Sequence, residues 1–409
     1  MTARSCEERG VKGVRLAQRG DAQRFAMEDA ASAGACCSAE LTGRPPAGTS
    51  RGCFTDACKP PLGNSRMVVV TPTHTGAVTA TAVTRFQLAQ RQLSRAGIAH
   101  YVVFMAGDMP HSRCPPAAGT QEDAKLRQLR SALGNATVWC VAPSTYEAVW
   151  GARFFEQLRS LPGAESYPKR SAIHGVHWSW QMCDLHAVVG ALHHLRGADT
   201  TQQENPAWKL CHERIGPTKA TMCKFGPRGR RLAAAARGFD YLWVVDPDIG
   251  WTGDLSAWLR AFDASDADLL TTDEPRRRPN TTGYKQQRLR NHMADEEVWS
   301  SLLVPVRYSV RMLATLSLLV GSGRLSFCES RAASACAARR AGSAQGGWCT
   351  MGGLRQLRPD LFFPHPKFSC CNAISEDAMA EARLVEAVGD GVAGRLVHRV
   401  RPKGATLLA

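Results

Sequence analysis

Two carboxylates stand two residues apart at Asp246-Pro247-Asp248, directly after the apolar run Tyr241-Leu242-Trp243-Val244-Val245. On an extended segment, residues i and i+2 point the same way, so both carboxylates can face one hard cation. Magnesium or manganese suits oxygen ligands of this kind, and such ions commonly bridge to substrate phosphates. A cation held there would neutralise a diphosphate as it departs, and Pro247 fixes the backbone between the two ligands. The competing reading is structural: an Asx turn, or a cap for the helix that follows. The apolar run before the pair favours the chemical reading. A buried strand ending in carboxylates sets negative charge at the carboxyl edge of a parallel sheet, where open α/β sheets bind their ligands.

The elements that must position this loop can be read along the chain. Order begins at Arg66, where Met67-Val68-Val69-Val70 reads as a strand, followed by a breaker-containing loop, Thr71-Pro72-Thr73-His74-Thr75-Gly76. A helix is expected over residues 80–96, with Val83, Phe86, Leu88 and Leu93 inward, and a second strand over 99–106. Strand, loop, helix, strand is the pattern of an α/β fold with a parallel sheet. Further helices are expected over 126–133, 171–195, 233–237, 255–262 and 308–319, and further strands over 138–141, 241–245 and 267–271. Residues 1–64 mix charges with Ala, Gly, Ser, Cys and Pro without a period, which reads as a disordered, low-complexity extension. The C-terminal third, broken by Gly346-Gly347, Gly352-Gly353 and several prolines, is expected to be rich in loops.

Bulk composition narrows the field. Hydrophobic residues make up 44% of 409, which supports a real core. The formal charge of +15 rests partly on two short Arg blocks, 227–231 and 275–279, neither interleaved with aromatics, and no nucleic-acid module is visible. Nucleic acid is therefore not an expected partner. The 15 cysteines form no CxxC knuckle; disulfides are expected around Cys328, Cys336, Cys349, Cys370 and Cys371 if the compartment is oxidising. No apolar segment of the sequence is long enough to span a bilayer, since the run 308–320 carries Arg311.

The run from Phe239 to Leu255, through Asp246, Asp248 and Thr252-Gly253-Asp254, resembles the DxD segment of GT-A-type nucleotide-diphospho-sugar glycosyltransferases. It is similar, more narrowly, to a loosely characterised eukaryotic group of them. There an aromatic-rich strand leads to an acidic pair, a Thr-Gly-Asn/Asp turn, a short helix and an Asp-Ala-Asp-Leu-Leu strand, which Asp266-Ala267-Asp268-Leu269-Leu270 matches. The likeness is carried mainly by residues 239–273. It implies a GT-A-like (Rossmann-like) mixed, mainly parallel sheet flanked by helices, forming one domain over residues 65–409. It also implies transfer of a sugar from a nucleotide-diphosphate donor, such as a UDP-sugar, to a glycan, protein or lipid acceptor. Asp246 and Asp248 would then hold Mn²⁺ or Mg²⁺ together with the donor diphosphate. His398 would add a metal ligand and Lys403 a phosphate contact, with Pro364-His365-Pro366-Lys367 as a rival segment. Thr71, Thr73 and His74 would face the nucleotide, and Glu329, after Arg307-Tyr308-Ser309 and an apolar helix, would be the general base. The resemblance points to the Golgi or secretory lumen, although the family's N-terminal anchor is not seen, and composition leaves a cytoplasmic site open.

Two other readings stand beside this one. An apolar strand followed by DxD also opens haloacid-dehalogenase-like phosphatases, with Asp246 as nucleophile, but here the motif lies mid-chain after earlier βα units. A transferase fold without activity, acting as a binding protein, is the second. Separately, His174, His177, His186, His193 and His194 cluster with Trp178 and Trp180. His186 and His193 could share a helical face, with Asp184 or Cys183 completing a zinc site. Without an HExxH pattern, buried packing is the better reading.

Overall fold

A computed structural model describes residues 65–106, 113–150, 184–194, 239–277, 298–301, 305–310, 312–313, 316, 320, 328–337, 349–363, 374–375, 393–398 and 400–401. The expected extension over 1–64, the helix expected over 233–237, the first half of the helix expected over 171–195, and Lys403 lie outside these residues.

Strand β1 (Met67–His74) leads through a short 3₁₀ turn to helix α1 (Ala80–Arg95) and then to β2 (Ala99–Met105). Thr79 caps α1, its side chain accepting from the Ala82 amide. Helix α2 (Gln121–Leu133), capped by Thr120, leads to β3 (Val138–Val141). Helices α3 (Pro143–Trp150) and α4 (Leu185–His194) precede β4 (Tyr241–Val244). Beyond the acidic loop come β5 (Ile249–Gly253), α5 (Leu255–Arg260), β6 (Leu269–Thr271), and the short β7 (Arg276–Arg277) and β8 (Trp299–Ser300). Then follow β9 (Val306–Ser309), α6 (Cys328–Ala337), β10 (Met351–Gly353), α7 (Leu354–Leu357), β11 (Ile374–Ser375), β12 (Ala393–His398) and β13 (Val400–Arg401).

The main sheet has seven strands in the order β10-β6-β9-β4-β1-β2-β3. All neighbours are parallel except β9, which runs antiparallel to both β4 and β6. The fold is thus α/β with a mixed, mainly parallel sheet. From β1 the chain builds outward to β2 and β3, then returns to the other side of β1 as β4. The strand order reverses between β1 and β4, and the crevice outside their carboxyl ends is where a doubly wound sheet takes its ligand.

Both faces of the sheet are covered, which is why its strands read as unbroken apolar runs rather than alternating ones. Val68, Val70, Leu242 and Val244 point to a core shared with α3, α4 and α6. Met67, Val69, Tyr241 and Trp243 point the other way, against α1 and α5, and α2 covers the β2–β3 end beside Val83 and Phe86 of α1. Of the residues expected inward on α1, Val83, Phe86 and Leu93 are buried and Leu88 is partly covered.

Two local expectations are corrected. The segment Thr71–His74 is strand rather than loop, because pairing with β2 continues to His74 opposite Met105. Pro72 is tolerated there because β4 accompanies β1 only as far as Val70, leaving the strand paired on one side. Tyr308 and Ser309 belong to β9 rather than to the following helix, since they pair with Leu242 and Tyr241. Helix begins at Val310 and includes the buried Met312, Leu313, Leu316 and Val320. The ribbon formed by β5 and β12 was not expected at all.

That ribbon is tight. A Cβ on Gly394 would lie 2.3 Å from the Thr252 carbonyl oxygen, so only glycine fits. Gly394→Ala is therefore expected to destabilise the protein by about 1–3 kcal/mol through forced separation of β12 from β5, measured as a lower urea midpoint. Two disulfides are described: Cys114–Cys140, and Cys336–Cys349, which ties α6 to the segment entering β10 and lies where the sequence suggested. No helix among the described residues is long and apolar enough to cross a membrane.

Candidate functional site at the carboxyl edge of β4

Asp246 and Asp248 follow β4 at the point where the strand order reverses. The Val245 amide still donates to Val70, and the Ile249 amide donates to the Asp246 carbonyl at 3.1 Å, so the acidic loop is a tight turn between β4 and β5. Both carboxylate residues keep partial solvent access. The helix-capping role belongs to neither of them. It falls to Asp254, whose side chain accepts from the Ser256 amide at 2.7 Å and the Ala257 amide at 3.3 Å. Asp268, in the second acidic segment, is likewise structural: fully buried, it accepts from the Ser309 hydroxyl and from the amide and hydroxyl of Thr350.

Helix α1 holds the turn from one side. Arg85 donates to the Ile249 carbonyl at 3.5 Å. Gln92 donates to the Gly253 carbonyl at 2.9 Å and accepts from the Trp251 indole and the Leu255 amide. A small pocket opens between α1, β1 and this turn, lined by Thr71, Arg85, His100, Asp246, Pro247 and Trp251 among others. Thr71 lines it, with its hydroxyl 3.1 Å from His100 Nε2. Thr73, nearer the edge, is buried with a hydroxyl that has no hydrogen-bond partner. His74, the last residue of β1, is exposed.

The electrostatics are one-sided. Burial, then the neighbouring Asp248, then Asp184 push the Asp246 carboxyl well above the usual carboxylate range. Crowded carboxylates with hard oxygen donors suit Mg²⁺ or Mn²⁺. Among the described residues no three His, Cys, Asp or Glu side chains form a ready metal-holding group. Two protein carboxylates, with water or diphosphate oxygens in the other positions, is a common way to hold Mg²⁺. His398 is brought to the same place by its backbone: in the β5–β12 ribbon it lies opposite Ile249, the residue after Asp248. Glu329 falls in the first turn of α6.

His100 offers a direct check on this pocket. Burial pushes its imidazole down to about 4. Between pH 6.5 and 4 the unfolded chain takes up a proton that the folded chain refuses, so stability is expected to fall as pH drops through that window. The full effect is about 3 kcal/mol. Urea unfolding at stepped pH should show this loss in the natural protein and a flatter profile for His100→Gln.

Among the described residues the histidines build no zinc site. His186 Nδ1 is hydrogen-bonded to the Tyr146 hydroxyl, and His194 stacks on Trp139 with centroids 4.9 Å apart. Asp184, the carboxylate considered for that site, pairs with Arg331 instead. His174, His177, Trp178, Trp180 and Cys183 lie outside the described residues, as do His365 and the first Arg block. Arg276 and Arg277 of the second block form the exposed β7.

Several residues of the site escaped the sequence reading. Arg85, Gln92 and His100 are polar residues buried against the acidic turn, and only the polar interruptions in otherwise apolar elements could have flagged them. Arg331, set among Ser330, Ala332, Ala333 and Ser334 in a buried helix, escaped it too, the small residues around it being a signal of burial alone.

Fold and site together define an α/β protein with a mixed, mainly parallel sheet and an acidic turn at the carboxyl edge of β4. Comparison with family models finds no match for this chain, and comparison with curated proteins finds none either.

Proposed function

We propose that the protein is a metal-dependent glycosyltransferase that moves a sugar from a nucleotide-diphosphate donor, such as a UDP-sugar, to a glycan, protein or lipid acceptor. The observation that carries this reading is the pair Asp246 and Asp248 at the carboxyl end of β4, beside the reversal of strand order. The resemblance of residues 239–273 to GT-A-type transferases supports it. So does the unpartnered, buried Thr73 hydroxyl at the end of the neighbouring strand.

In this reading Asp246 and Asp248 hold the cation, and His398 completes its protein ligands. A bound Mn²⁺ or Mg²⁺ supplies Lewis-acid neutralisation of the departing diphosphate. Thr71, Thr73 and His74 face the nucleotide, and Lys403 contacts phosphate oxygens. In an inverting reaction Glu329 takes the proton from the acceptor hydroxyl. The acceptor oxygen then bonds to the sugar's anomeric carbon as the bond to diphosphate breaks, with the electron pair leaving on the diphosphate. Two disulfides and the family resemblance support work in an oxidising, Golgi or secretory compartment.

The test is to incubate the protein with UDP-sugars and Mn²⁺ and measure UDP released, with and without EDTA. Release that EDTA abolishes is the expected result. Inorganic phosphate released from an aryl phosphate, with no UDP from any donor, would replace this reading by the phosphatase one.

A further inference from the structure

The crevice has a second side, across from the acidic turn. Helix α1 follows β1 directly, so its N-terminus stands at the carboxyl edge of the sheet, the edge at which Asp246 and Asp248 follow the parallel neighbour β4. The first amides of a helix have no partner within it and carry partial positive charge. Thr79 meets two of them, the Ala82 amide with its side chain and the Val83 amide with its carbonyl. Those of Ala80 and Thr81 are left over, and both residues are exposed. Two hydroxyls lie close by in the chain. Thr73 is 3% exposed, and its hydroxyl has no hydrogen-bond partner. The hydroxyl of Thr75, first residue of the 3₁₀ turn, is also buried without one. Thr73 faces the start of α1: its register partner on β2 is Phe104, partners in register share a sheet face, and Phe104 belongs to the core formed with Val78, Ala82 and Val83.

A buried hydroxyl without a partner costs stability, and valine would fill the same space on this strand without that cost. Unpaired hydroxyls able to donate, beside free helix amides, make a site of donors, which suits an anion and phosphate oxygens above all. We infer that the N-terminus of α1, with the Thr73 and Thr75 hydroxyls, is an anion site that takes a phosphoryl group. Strands β1 and β4 are neighbours, about 4.8 Å apart, so one diphosphate reaches both the α1 amides and a cation at the acidic turn. The assignment to the donor's diphosphate rests on the proposed nucleotide-sugar reading; the anion site itself does not.

The test uses the full chain in EDTA with inorganic phosphate, at constant ionic strength. Millimolar phosphate is needed, because carboxylates across the crevice without their cation weaken anion binding. Phosphate should raise the thermal midpoint of the natural protein. Thr73→Val should lose most of that rise, while its midpoint without phosphate equals or exceeds that of the natural protein. Thr73→Ser should keep the rise. Thr75→Val, in the turn, gives the same test if the strand variant fails to fold. In calorimetric titration with Mn²⁺ present, UDP binding should weaken about tenfold in Thr73→Val, the loss of one charge-assisted hydrogen bond. It should stay within about threefold in Thr73→Ser. No rise with phosphate, or an equal rise in the natural protein and both valine variants, would overturn the inference, the second result meaning surface binding by a basic chain. A Thr73→Val midpoint well below the natural one without phosphate would also overturn it, since the hydroxyl would then have a partner in the fold. A phosphate response that depends on Thr73, with no UDP binding even with Mn²⁺, would keep the anion site and remove the nucleotide reading. Mn²⁺-dependent UDP binding that both valine variants retain in full would keep that reading and remove the inference.

Discussion

Replacing Asp248 by alanine is expected to lower transfer from a UDP-sugar by at least about a hundredfold in kcat/KM while leaving the urea midpoint nearly unchanged. The size follows from the several kcal/mol that a divalent cation contributes to neutralising a departing diphosphate. Fold is spared because the turn is built by other groups: the Asp246 carbonyl closes it, Asp254 caps α5, and Arg85 and Gln92 hold its backbone from α1. Asp246→Asn should cost a similar factor. Because burial and Asp248 disfavour the Asp246 charge, that substitution should leave stability unchanged or raise it slightly. A large loss of stability in either variant, with activity retained per folded molecule, would make the pair a structural turn.

The second large effect is on stability. Arg307 in β9 has no solvent exposure, yet its guanidinium donates to three carbonyl oxygens, of Phe262, Ser265 and Ala267, at 2.8–3.1 Å. It also lies over the Tyr241 ring, 4.0 Å from the centroid. One side chain thereby fixes the passage from α5 to β6 against the middle of the sheet. Arg307→Met takes the guanidinium away from all three carbonyls, of which Phe262 keeps the Ser265 amide as a donor, and should cost about 3–5 kcal/mol. Arg307→Lys should recover little, since an ammonium cannot span three acceptors arranged for a planar fork. Urea unfolding of both variants checks this; a lysine variant as stable as the natural protein would show that charge alone, without fork geometry, is what the site requires.

Much of this architecture is legible in the chain because the sheet is covered on both faces. Strands β1 to β4 are short, β-branched or aromatic runs, and such runs have few other readings when helices alternate with them. The acidic pair is legible for the same reason, as polar residues abruptly ending the strongest of these runs. What could not be read is pairing across long separations. Strand β5 carries two glycines, and its partner β12 comes from the far end of the chain, with Thr252 and Arg395 143 positions apart. No local pattern reports such a partnership, and it alone brings His398 beside Asp248. Tyr308 was misassigned because a short apolar run following Val306 looks the same as strand or helix until neighbouring strands claim it. The Asp184–Arg331 pair was invisible for a related reason: Asp184 immediately precedes α4 and Arg331 lies in α6, 147 positions further along the chain.

If Asp246 and Asp248 hold a divalent cation that receives a nucleoside diphosphate, UDP binding must depend on that cation. Calorimetric titration of UDP into the full chain, with Mn²⁺ and then with EDTA, tests it most directly. Binding with Mn²⁺ that is lost in EDTA and in Asp248→Ala is the expected result. Equal UDP binding with and without the cation, or no binding of either UDP or GDP in its presence, would contradict it.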